Sequence, residues 1–367
     1  MTDSRPNWPA RLAAVRRRWR TADAICVVSS ATNIAYLTGF HGSAGLFIQD
    51  AERDWLVLDG RYTTVAAEAA ARGDIAPVCI VTTDTTYEAA LAGVIAESGA
   101  TRIIFEADHV TVSHLTRWQA AVPGDFQGHA GLVEPLRLIK DAHEIAVFRR
   151  AGLALSGVAG RLGEWVRAGR SERQVAAEID LGLRRAGFTK PAFDTIVASG
   201  PNSAHPHAHP GERLLTLGDL VVLDFGGVLD GYCVDLTRMA AVGWPGDEAA
   251  GIVRAVGKAQ QAALDVMCAG VTTGAVDRAA RQVLDAEGLG AAFVHGTGHG
   301  LGLEVHEAPR LSRLSAPDER LRAGMVCTVE PGAYVPGIGG ARLEDDVLVT
   351  DTGIEVLTPG PRDLLTV

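Results

Sequence analysis

Short apolar runs alternate with helical patterns over roughly the first 130 residues of the chain. Apolar residues spaced three or four apart predict helices over 61–72, 86–98 and 111–121. Leu12, Val15 and Trp19 recur at the same spacing and predict an earlier helix whose other face is basic. The runs that predict strands are AICVVSS, GLFIQD, WLVLD, PVCIV and RIIFE. Such alternation is typical of a mixed sheet that helices cover.

The pattern changes after a loop-like stretch at 122–131, which we take as the domain boundary. Beyond it the chain shows helical patterns over about 142–167, 171–186, 247–269 and 273–287, and strand patterns over 191–198, 219–243 and 325–349. Helices that are segregated from antiparallel hairpins indicate an α+β fold. We therefore predict an N-terminal α/β domain (1–131), a linker (132–141) and a C-terminal domain (142–367).

Composition narrows the class of protein without changing this organisation. The 367 residues include 47% hydrophobic residues and carry a formal net charge of −10, which excludes disorder of the whole chain and gives it no electrostatic reason to bind nucleic acid or anionic lipid. No apolar run approaches the ~18 residues of a membrane span. Arginines interrupt any secretory signal, and the five scattered cysteines form no CxxC pair. These features predict a cytoplasmic protein.

One hairpin carries two acidic residues. Asp230-Gly231 between two apolar runs predicts a two-residue turn, so that position 224 faces 237 and position 226 faces 235. Side chains alternate along strands, which places Asp224 and Asp235 on one face as diagonal neighbours. Two carboxylates in such an apolar setting repel each other and need a proton or cations. Cys233 shares this parity, although a packed thiol is favoured over a metal ligand.

A second acidic pair and a histidine follow the same logic. Glu330 ends an apolar strand, and Glu344 begins another strand after the glycine-rich stretch 336–341. Glycines flank His299 within the histidine-rich segment 294–306 and would let the backbone approach a bound group closely. Each residue alone has an ordinary explanation as a turn, a strand end or a packed histidine. Together, one imidazole and four carboxylates suit two divalent cations that carboxylates bridge.

The order and spacing of these residues resemble the creatinase/methionine aminopeptidase ("pita-bread") metallopeptidases of family M24. Among them the chain is most similar to the Xaa-Pro peptidases, aminopeptidase P and prolidase. The motifs that carry the resemblance are LDFGGVLDGYCVDLTR, HGTGHGLGLEVHEAPR, VEPGAY, ARLEDD, SGPNSAHPH, YLTGFHGSAG and DGRY. They span nearly the whole chain. The resemblance implies a pita-bread catalytic domain preceded by a smaller creatinase-like N-terminal domain.

The resemblance also implies a cofactor and its ligands. Two divalent ions per subunit are expected, Mn²⁺ first, with Co²⁺, Zn²⁺ or Fe²⁺ as alternatives. Asp235 and Glu344 would bridge both ions, and a metal-bridging hydroxide would attack the substrate, with Glu330 as the proton shuttle. The implied ligand set is Asp224, Asp235, His299, Glu330 and Glu344.

Further residues match family positions around the metals. His207 and His306 would contact the substrate and stabilise the tetrahedral intermediate. Arg342 would orient Glu344, and His295 would support the ligand strand. Arg310 and Arg61 are candidates to bind a substrate carboxylate, with a surface ion pair as an equal alternative for each. His205 and His209, which flank His207, are expected to be exposed.

These expectations combine into one function. We predict a homodimeric, dinuclear metallopeptidase that hydrolyses the N-terminal Xaa-Pro bond of dipeptides, short peptides or both. An Xaa-Pro bond has no N–H for an ordinary peptidase to grip, whereas a metal pair does not need one. The N-terminal domain favours an Xaa-Pro peptidase over a methionine aminopeptidase. Two alternatives stay open: a creatinase-like C–N hydrolase of a small non-peptide substrate, and a non-catalytic peptide-binding module.

Overall fold

A computed structural model describes residues 5–21 and 23–367 and divides the chain into two units, Met1–Arg137 and Leu138–Val367. Residues 1–4 and 22, which belong to the predicted first domain, lie outside the described residues. The described helices of the first unit are α1 (Trp8–Trp19), α2 (Ala31–Thr38), α3 (Thr63–Arg72), α4 (Tyr87–Ser98), α5 (Val112–Ala121) and α6 (Glu134–Arg137). Its described strands are β1 (Ala24–Val28), β2 (Leu46–Gln49), β3 (Asp54–Asp59), β4 (Cys79–Thr83), β5 (Arg102–Glu106) and β6 (Asp125–His129).

The described strands of the first unit form the mixed sheet that the sequence predicts. Their order is β4-β3-β2-β1-β5-β6, with β2 antiparallel to both of its neighbours and the other pairs parallel. All five residues of the central strand β1 are buried. Ile25 and Val27 pack in one core with Leu91 of α4 and Trp118 of α5. The near-continuous apolar runs in the sequence therefore reflect strands that are covered on both faces.

Two elements of this unit differ from the prediction. The stretch 122–131 was expected to be a loop, but β6 lies within it as an edge strand that pairs with β5. Most of its residues are exposed, so it lacks the apolar alternation by which strands are recognised. The short helix α2 was not predicted either. Ser30 caps its start, and Gly39, at φ 75°, ends it in the left-handed region.

The second unit, all of whose residues are described, is the larger. Its helices are α7 (Ala142–Ala159), α8 (Leu162–Trp165), α9 (Glu172–Arg185), α10 (Asp247–Val266) and α11 (Thr273–Ala286), with 3₁₀ helices at Gly200–Ala204 and Gly290–Ala292. Its strands are β7 (Lys190–Pro191), β8 (Ile196–Ser199), β9 (Leu220–Leu229), β10 (Tyr232–Ala241), β11 (Gly298–Gly300), β12 (Glu307–Leu311), β13 (Val326–Val329), β14 (Gly332–Val335), β15 (Gly339–Arg342), β16 (Asp345–Val349), β17 (Ile354–Val356) and β18 (Leu365–Thr366). Among the described residues, none of the helices combines the length and apolar character that crossing a membrane requires.

The strands of the second unit form two larger sheets and a hairpin. One sheet has the order β18-β10-β9-β7, with β8 also paired to β9, and the other has the order β12-β11-β13-β16-β17. Strands β14 and β15 form the hairpin. Leu223 and Phe225 of β9 face a core that includes α7 and α9, whereas Val222 belongs to the core that includes α10 and α11. Alternation puts Asp224 on the face of Val222.

The β9–β10 hairpin has the predicted register. Asp230 and Gly231 both have positive φ, at 49° and 86°, which is the geometry of a type I′ turn. Leu229 then pairs with Tyr232, Gly226 with Asp235, and Asp224 with Thr237. The prediction that Asp224 and Asp235 are diagonal neighbours on one face is confirmed.

The glycines that flank His299 lie in close contact with neighbouring backbone. That they also admit a bound group stays a prediction. A Cβ on Gly298 would lie 2.1 Å from the carbonyl oxygen of Thr328, and one on Gly300 would lie 2.0 Å from that of Ala308. These glycines let β11 fit between β12 and β13, which places the His299 side chain.

Two glycines of α7 give a matched test of this packing. A Cβ at Gly152 would lie 2.0 Å from the carbonyl oxygen of Leu357, whereas a Cβ at Gly157 would meet nothing within 4 Å. We expect Gly157→Ala to raise the free energy of unfolding by about 0.5–1 kcal/mol, since alanine favours helix. Gly152→Ala should lower it by about 1–3 kcal/mol through overpacking. Denaturant unfolding monitored by circular dichroism measures both; equal effects would contradict the packing argument.

Candidate metal centre

Five sequence-predicted residues converge from separate elements of the second unit. Asp224 and Asp235 lie on β9 and β10, His299 lies on β11, and the two glutamates lie at ends of strands. One ligand atom each from Asp235, His299 and Glu344 lie within 4.8 Å of one another. His299 Nε2 lies 3.3 Å from Glu330 Oε1. The fold therefore gathers residues that are up to 120 positions apart in the sequence, counted from 224 to 344.

The electrostatics of the cluster are those of crowded acids. Burial, followed by repulsion from Glu344 and Asp224, raises the pKa of Asp235 well above its usual value. Burial and then Glu330 raise the pKa of Glu344 in the same way. Burial lowers the pKa of His299, which keeps its imidazole neutral. The cluster thus favours bound protons or cations, as the sequence argument required.

Two observations test whether these residues fit divalent metal ions. Asp224 Oδ1 and Glu344 Oε1 are buried and find no hydrogen-bond partner within the described part of the chain. Nδ1 of His299 lies 3.0 Å from the carbonyl oxygen of Gly300, and a proton on Nδ1 leaves the Nε2 lone pair directed at the cluster. Orphaned carboxylate oxygens and one imidazole nitrogen are suitable ligands for Mn²⁺ and similar ions. The residues fit the expected metals.

Arg342 holds one side of the cluster. Its guanidinium donates to Asp224 Oδ2, to the hydroxyl of Tyr334 at 2.7 Å and to Thr237 Oγ1 at 3.2 Å. Thr237 in turn donates to Glu344 Oε2 at 2.7 Å. Arg342 therefore binds Asp224 directly and is linked to Glu344 through Thr237, and its expected role in orienting Glu344 stays a prediction.

His295 lies in the same hydrogen-bonded network. Its Nε2 is 3.0 Å from the hydroxyl of Tyr334, and its Nδ1 is 2.8 Å from the carbonyl oxygen of Gly296. Burial raises the pKa of Tyr334 to about 12, so the phenol keeps its proton. His295 is thus linked to Asp224 through Tyr334 and Arg342. Tyr334 is the last residue of the VEPGAY motif, but nothing in that local pattern marks it as part of the site.

Two more supporting residues were missed. Thr328 Oγ1 accepts the backbone N–H of His299 at 3.0 Å and donates to Glu330 Oε1 at 3.3 Å. Asp346 Oδ2 accepts the backbone N–H of Asp235 at 2.9 Å. Thr328 and Asp346 face each other across the β13–β16 ladder. No local pattern identifies them, because their role arises only when these strands pair.

The remaining candidates lie at different places. The ring centroid of His306 lies 4.4 Å from that of His299. His207 is exposed, and its charge contributes to lowering the pKa of His306, after burial, His299 and Arg310. Arg310 is exposed and pairs with His299 across the β11–β12 ladder.

Three other expectations concern residues outside this group. Arg61 belongs to the first unit, where its guanidinium pairs with the carboxylate of Asp59 at 2.8 Å. His205 and His209 are exposed, as expected. Cys233 is buried, and burial raises its pKa to about 12, so it is a packed thiol.

Models of two known families match this chain. Residues 146–351 match Metallopeptidase family M24, and residues 11–139 match the Creatinase/Prolidase N-terminal domain. An uncharacterised peptidase of Bacillus subtilis, YqhT, is 37% identical over 343 residues, which cover 92% of this chain and 94% of that protein.

Two solved structures are similar over nearly their whole length. The Xaa-Pro dipeptidase from Bacillus anthracis has a TM-score of 0.93 at 36% identity, covering 98% of this chain and 100% of that one. The X-Pro aminopeptidase from Thermotoga maritima has a TM-score of 0.86 at 32% identity, covering 94% and 98%. The predicted fold, a pita-bread domain preceded by a creatinase-like domain, is confirmed. The chain belongs to metallopeptidase family M24 and is a hydrolase with the N-terminal domain of creatinases and prolidases.

Proposed function

We propose that this chain is a dinuclear metal-dependent exopeptidase that hydrolyses the bond between an N-terminal residue and a following proline. The observation that carries the proposal is the convergence of Asp235, His299 and Glu344 within 4.8 Å, beside buried carboxylate oxygens without donors in the described chain. Similarity to an Xaa-Pro dipeptidase and an X-Pro aminopeptidase supports the choice of substrate.

In this proposal five residues would hold the two divalent ions: Asp224, Asp235, His299, Glu330 and Glu344. Divalent ions there would lower the pKa of a bound water toward neutrality and polarise the scissile carbonyl. Mn²⁺ is the expected ion, because the donors are four carboxylates and one imidazole. Asp224 is kept in place for this task by Arg342.

Glu330 is the proposed proton shuttle. Burial raises its pKa, against the opposing charges of His295 and Arg342, so its carboxyl group holds a proton more readily than an exposed glutamate does. Thr328 Oγ1, 3.3 Å from Oε1, holds the carboxyl group in position. Proline leaves as a secondary amine, and the Xaa-Pro nitrogen carries no proton of its own. A protonated Glu330 would supply the proton that departure requires.

His306 and His207 are the proposed contacts to the substrate carbonyl. His306 is exposed at the surface, but partial burial and the neighbouring His299 lower its pKa, so a neutral imidazole N–H is available near pH 7 as a donor to the developing oxyanion. The ring of His306 adjoins that of His299 with centroids 4.4 Å apart, which places it beside the proposed ligands.

Arg310 is the proposed partner of a substrate carboxylate. It is exposed and lies opposite His299 on the neighbouring strand. A guanidinium there would favour dipeptides, whose proline carboxylate is free, over longer peptides. Arg61 stays a weaker candidate, since its guanidinium already pairs with Asp59. Assembly as a homodimer and residence in the cytoplasm belong to the same proposal, on the family resemblance and the cysteine pattern respectively.

Removing one proposed ligand should abolish metal binding and turnover together. We expect Asp235→Asn and Glu344→Gln to lower the rate of Ala-Pro hydrolysis by about 10³-fold or more, since metal ions contribute several kcal/mol to such barriers. Metal content by mass spectrometry and proline release measure the two effects. Asp351→Asn, in an exposed turn, is the control and should change neither. Native-like turnover by either ligand variant would refute the assignment.

Stabilisation by metal should grow with pH. Because burial raises the folded-state pKa of Asp235 and Glu344, the metal-free protein loses stability from these groups as pH rises through their folded values. Bound cations replace those protons, so the rise in Tm on saturation with Mn²⁺ should increase as the pH rises above about 4, the ordinary pKa of these carboxyl groups. Scanning calorimetry measures it. A rise in Tm that is independent of pH would contradict protonated carboxyls in the metal-free site.

Arg310 should favour substrates with a free C-terminal carboxylate over substrates in which that carboxylate is an amide. We expect Arg310→Ala to raise KM for Ala-Pro about tenfold, which is the loss of one charge-assisted hydrogen bond, with little change for Ala-Pro-amide. Initial rates on Ala-Pro, Ala-Pro-amide and Ala-Pro-Ala give the comparison. Arg313→Ala, an exposed arginine nearby, is the matched control. Equal losses on acid and amide would show that Arg310 does not bind the carboxylate.

A further inference from the structure

The loop that carries His207 has little regular structure of its own. This loop, residues 199–213, is called the His207 segment below. It begins at the end of β8, passes through the 3₁₀ helix Gly200–Ala204, and then runs without helix or strand. His207 itself is exposed. A catalytic imidazole on such a loop needs external support, since misplacement by 1 Å can cost about 10²-fold in rate.

Glu172 supplies hydrogen bonds on both sides of His207. It lies in the first turn of α9 and is fully buried, at 0% exposure. Its Oε1 accepts the backbone N–H and the hydroxyl of Ser199, each at 2.8 Å, and the side-chain amide of Asn202 at 3.0 Å. Its Oε2 accepts the backbone N–H of Gly211 at 3.1 Å. One carboxylate therefore connects the two ends of the segment.

The start of α9 explains why a carboxylate is accommodated there. The first backbone N–H groups of a helix lack partners within the helix, and here those of Glu172 and Arg173 bind the carbonyls of Arg213 and Gly211. The far end of the segment thus lies across the helix N-terminus, where negative charge is favoured. Arg213 also donates to the hydroxyl of Ser199 at 2.7 Å. An anion with four donors around it is well satisfied in this setting.

The opposite side of the segment is bound to the metal centre. Arg342 donates to the carbonyl oxygen of Pro206, the residue before His207, at 3.2 Å. Ser203 Oγ accepts the backbone N–H of Gly340 at 2.9 Å. Gly340 and Arg342 belong to β15, which leads directly to Glu344. The His207 segment is therefore held between α9 on one side and the strand that presents a proposed ligand on the other.

We propose that Glu172 is a positioning residue that sets the place of His207 relative to the metal centre. This inference rests on the proposed function, because Glu172 acts on turnover only through the contact of His207 with the substrate. In the described part of the chain the Glu172 carboxylate binds Ser199, Asn202 and Gly211, none of which is a proposed metal ligand. Its carboxylate fixes the loop before the substrate arrives, so that little ordering is needed during turnover.

Glu172→Gln tests the proposal in the metal-loaded protein. The amide keeps one acceptor oxygen but turns an N–H₂ group toward the N–H of Gly211, so it releases that end of the segment. We expect kcat/KM for Ala-Pro to fall about tenfold while Mn²⁺ content is unchanged. Amide hydrogen exchange should rise within residues 199–213. Asn202→Ala, which removes a donor from the segment and leaves α9 intact, should have a smaller effect in the same direction.

A double-mutant cycle with His207→Ala separates positioning from general stability. If Glu172 acts through His207, Glu172→Gln should change kcat/KM less than twofold in the His207→Ala protein, against about tenfold in the native one. A loss of the same factor in both backgrounds would overturn the proposal, because a merely structural role acts regardless of His207. Unchanged turnover by Glu172→Gln alone would overturn it as well.

Glu178→Gln is the matched control on the same helix. Its carboxylate binds Arg170 at 3.1 Å and does not contact the segment, so native rates and native exchange are expected. A native protein that cleaves neither Ala-Pro nor Ala-Pro-Ala would defeat the proposed function, and the role of Glu172 in turnover with it. An active native protein with additive losses would defeat the positioning role alone. The two failures are thereby distinguished.

Discussion

Carboxylates that leave water repel one another, and the second unit of this protein gathers several of them where its two sheets meet. Burial and mutual repulsion raise the pKa of Asp235, Glu344 and Asp346. The surrounding donors satisfy only part of this charge, since Asp224 Oδ1 and Glu344 Oε1 have no donor among the described residues. Such an arrangement costs stability unless protons or cations occupy it. The acidic cluster of the second unit is therefore suited to binding cations.

The backbone geometry of the strands holds these carboxylates close together in an ordered structure. The Asp230-Gly231 turn fixes the register of β9 and β10, and Gly298 with Gly300 lets three strands pack at a distance that any Cβ would prevent. Acidic groups that point away from the cluster are neutralised separately. Asp345, adjacent to Glu344, binds Arg238 at 2.7 Å and Arg362 at 2.6 Å. Because side chains alternate along the strand, Asp345 faces arginines, whereas its neighbour Glu344 faces the acidic cluster.

Arg342 connects the acidic cluster with the surface that would meet a substrate. Its guanidinium binds Asp224 and Tyr334, and it also binds the backbone of the segment that carries His207. Glu172 holds that segment from the other side. Buried, satisfied polar networks of this kind are rigid, which is what an imidazole on a loop needs to act at a defined distance. The acidic cluster and the segment that carries His207 therefore share one set of hydrogen bonds.

The sequence by itself determined the fold class, most helices and strands, and the residues of the acidic cluster. Apolar periodicity and the turn chemistry of Asp230-Gly231 depend only on neighbouring residues, so they predict these elements without the tertiary structure. The motifs that contain the acidic residues lie on those same elements. The sequence did not reveal the edge strand β6, the short strand β11, or the supporting roles of Tyr334, Thr328 and Glu172. Those depend on partners that are distant in the sequence: Thr328 supports His299 only once β11 lies beside β13, and Glu172 reaches Gly211 only once the segment crosses α9. The tertiary structure decided them, since a hydrogen bond depends on the spacing of two atoms that no local pattern encodes.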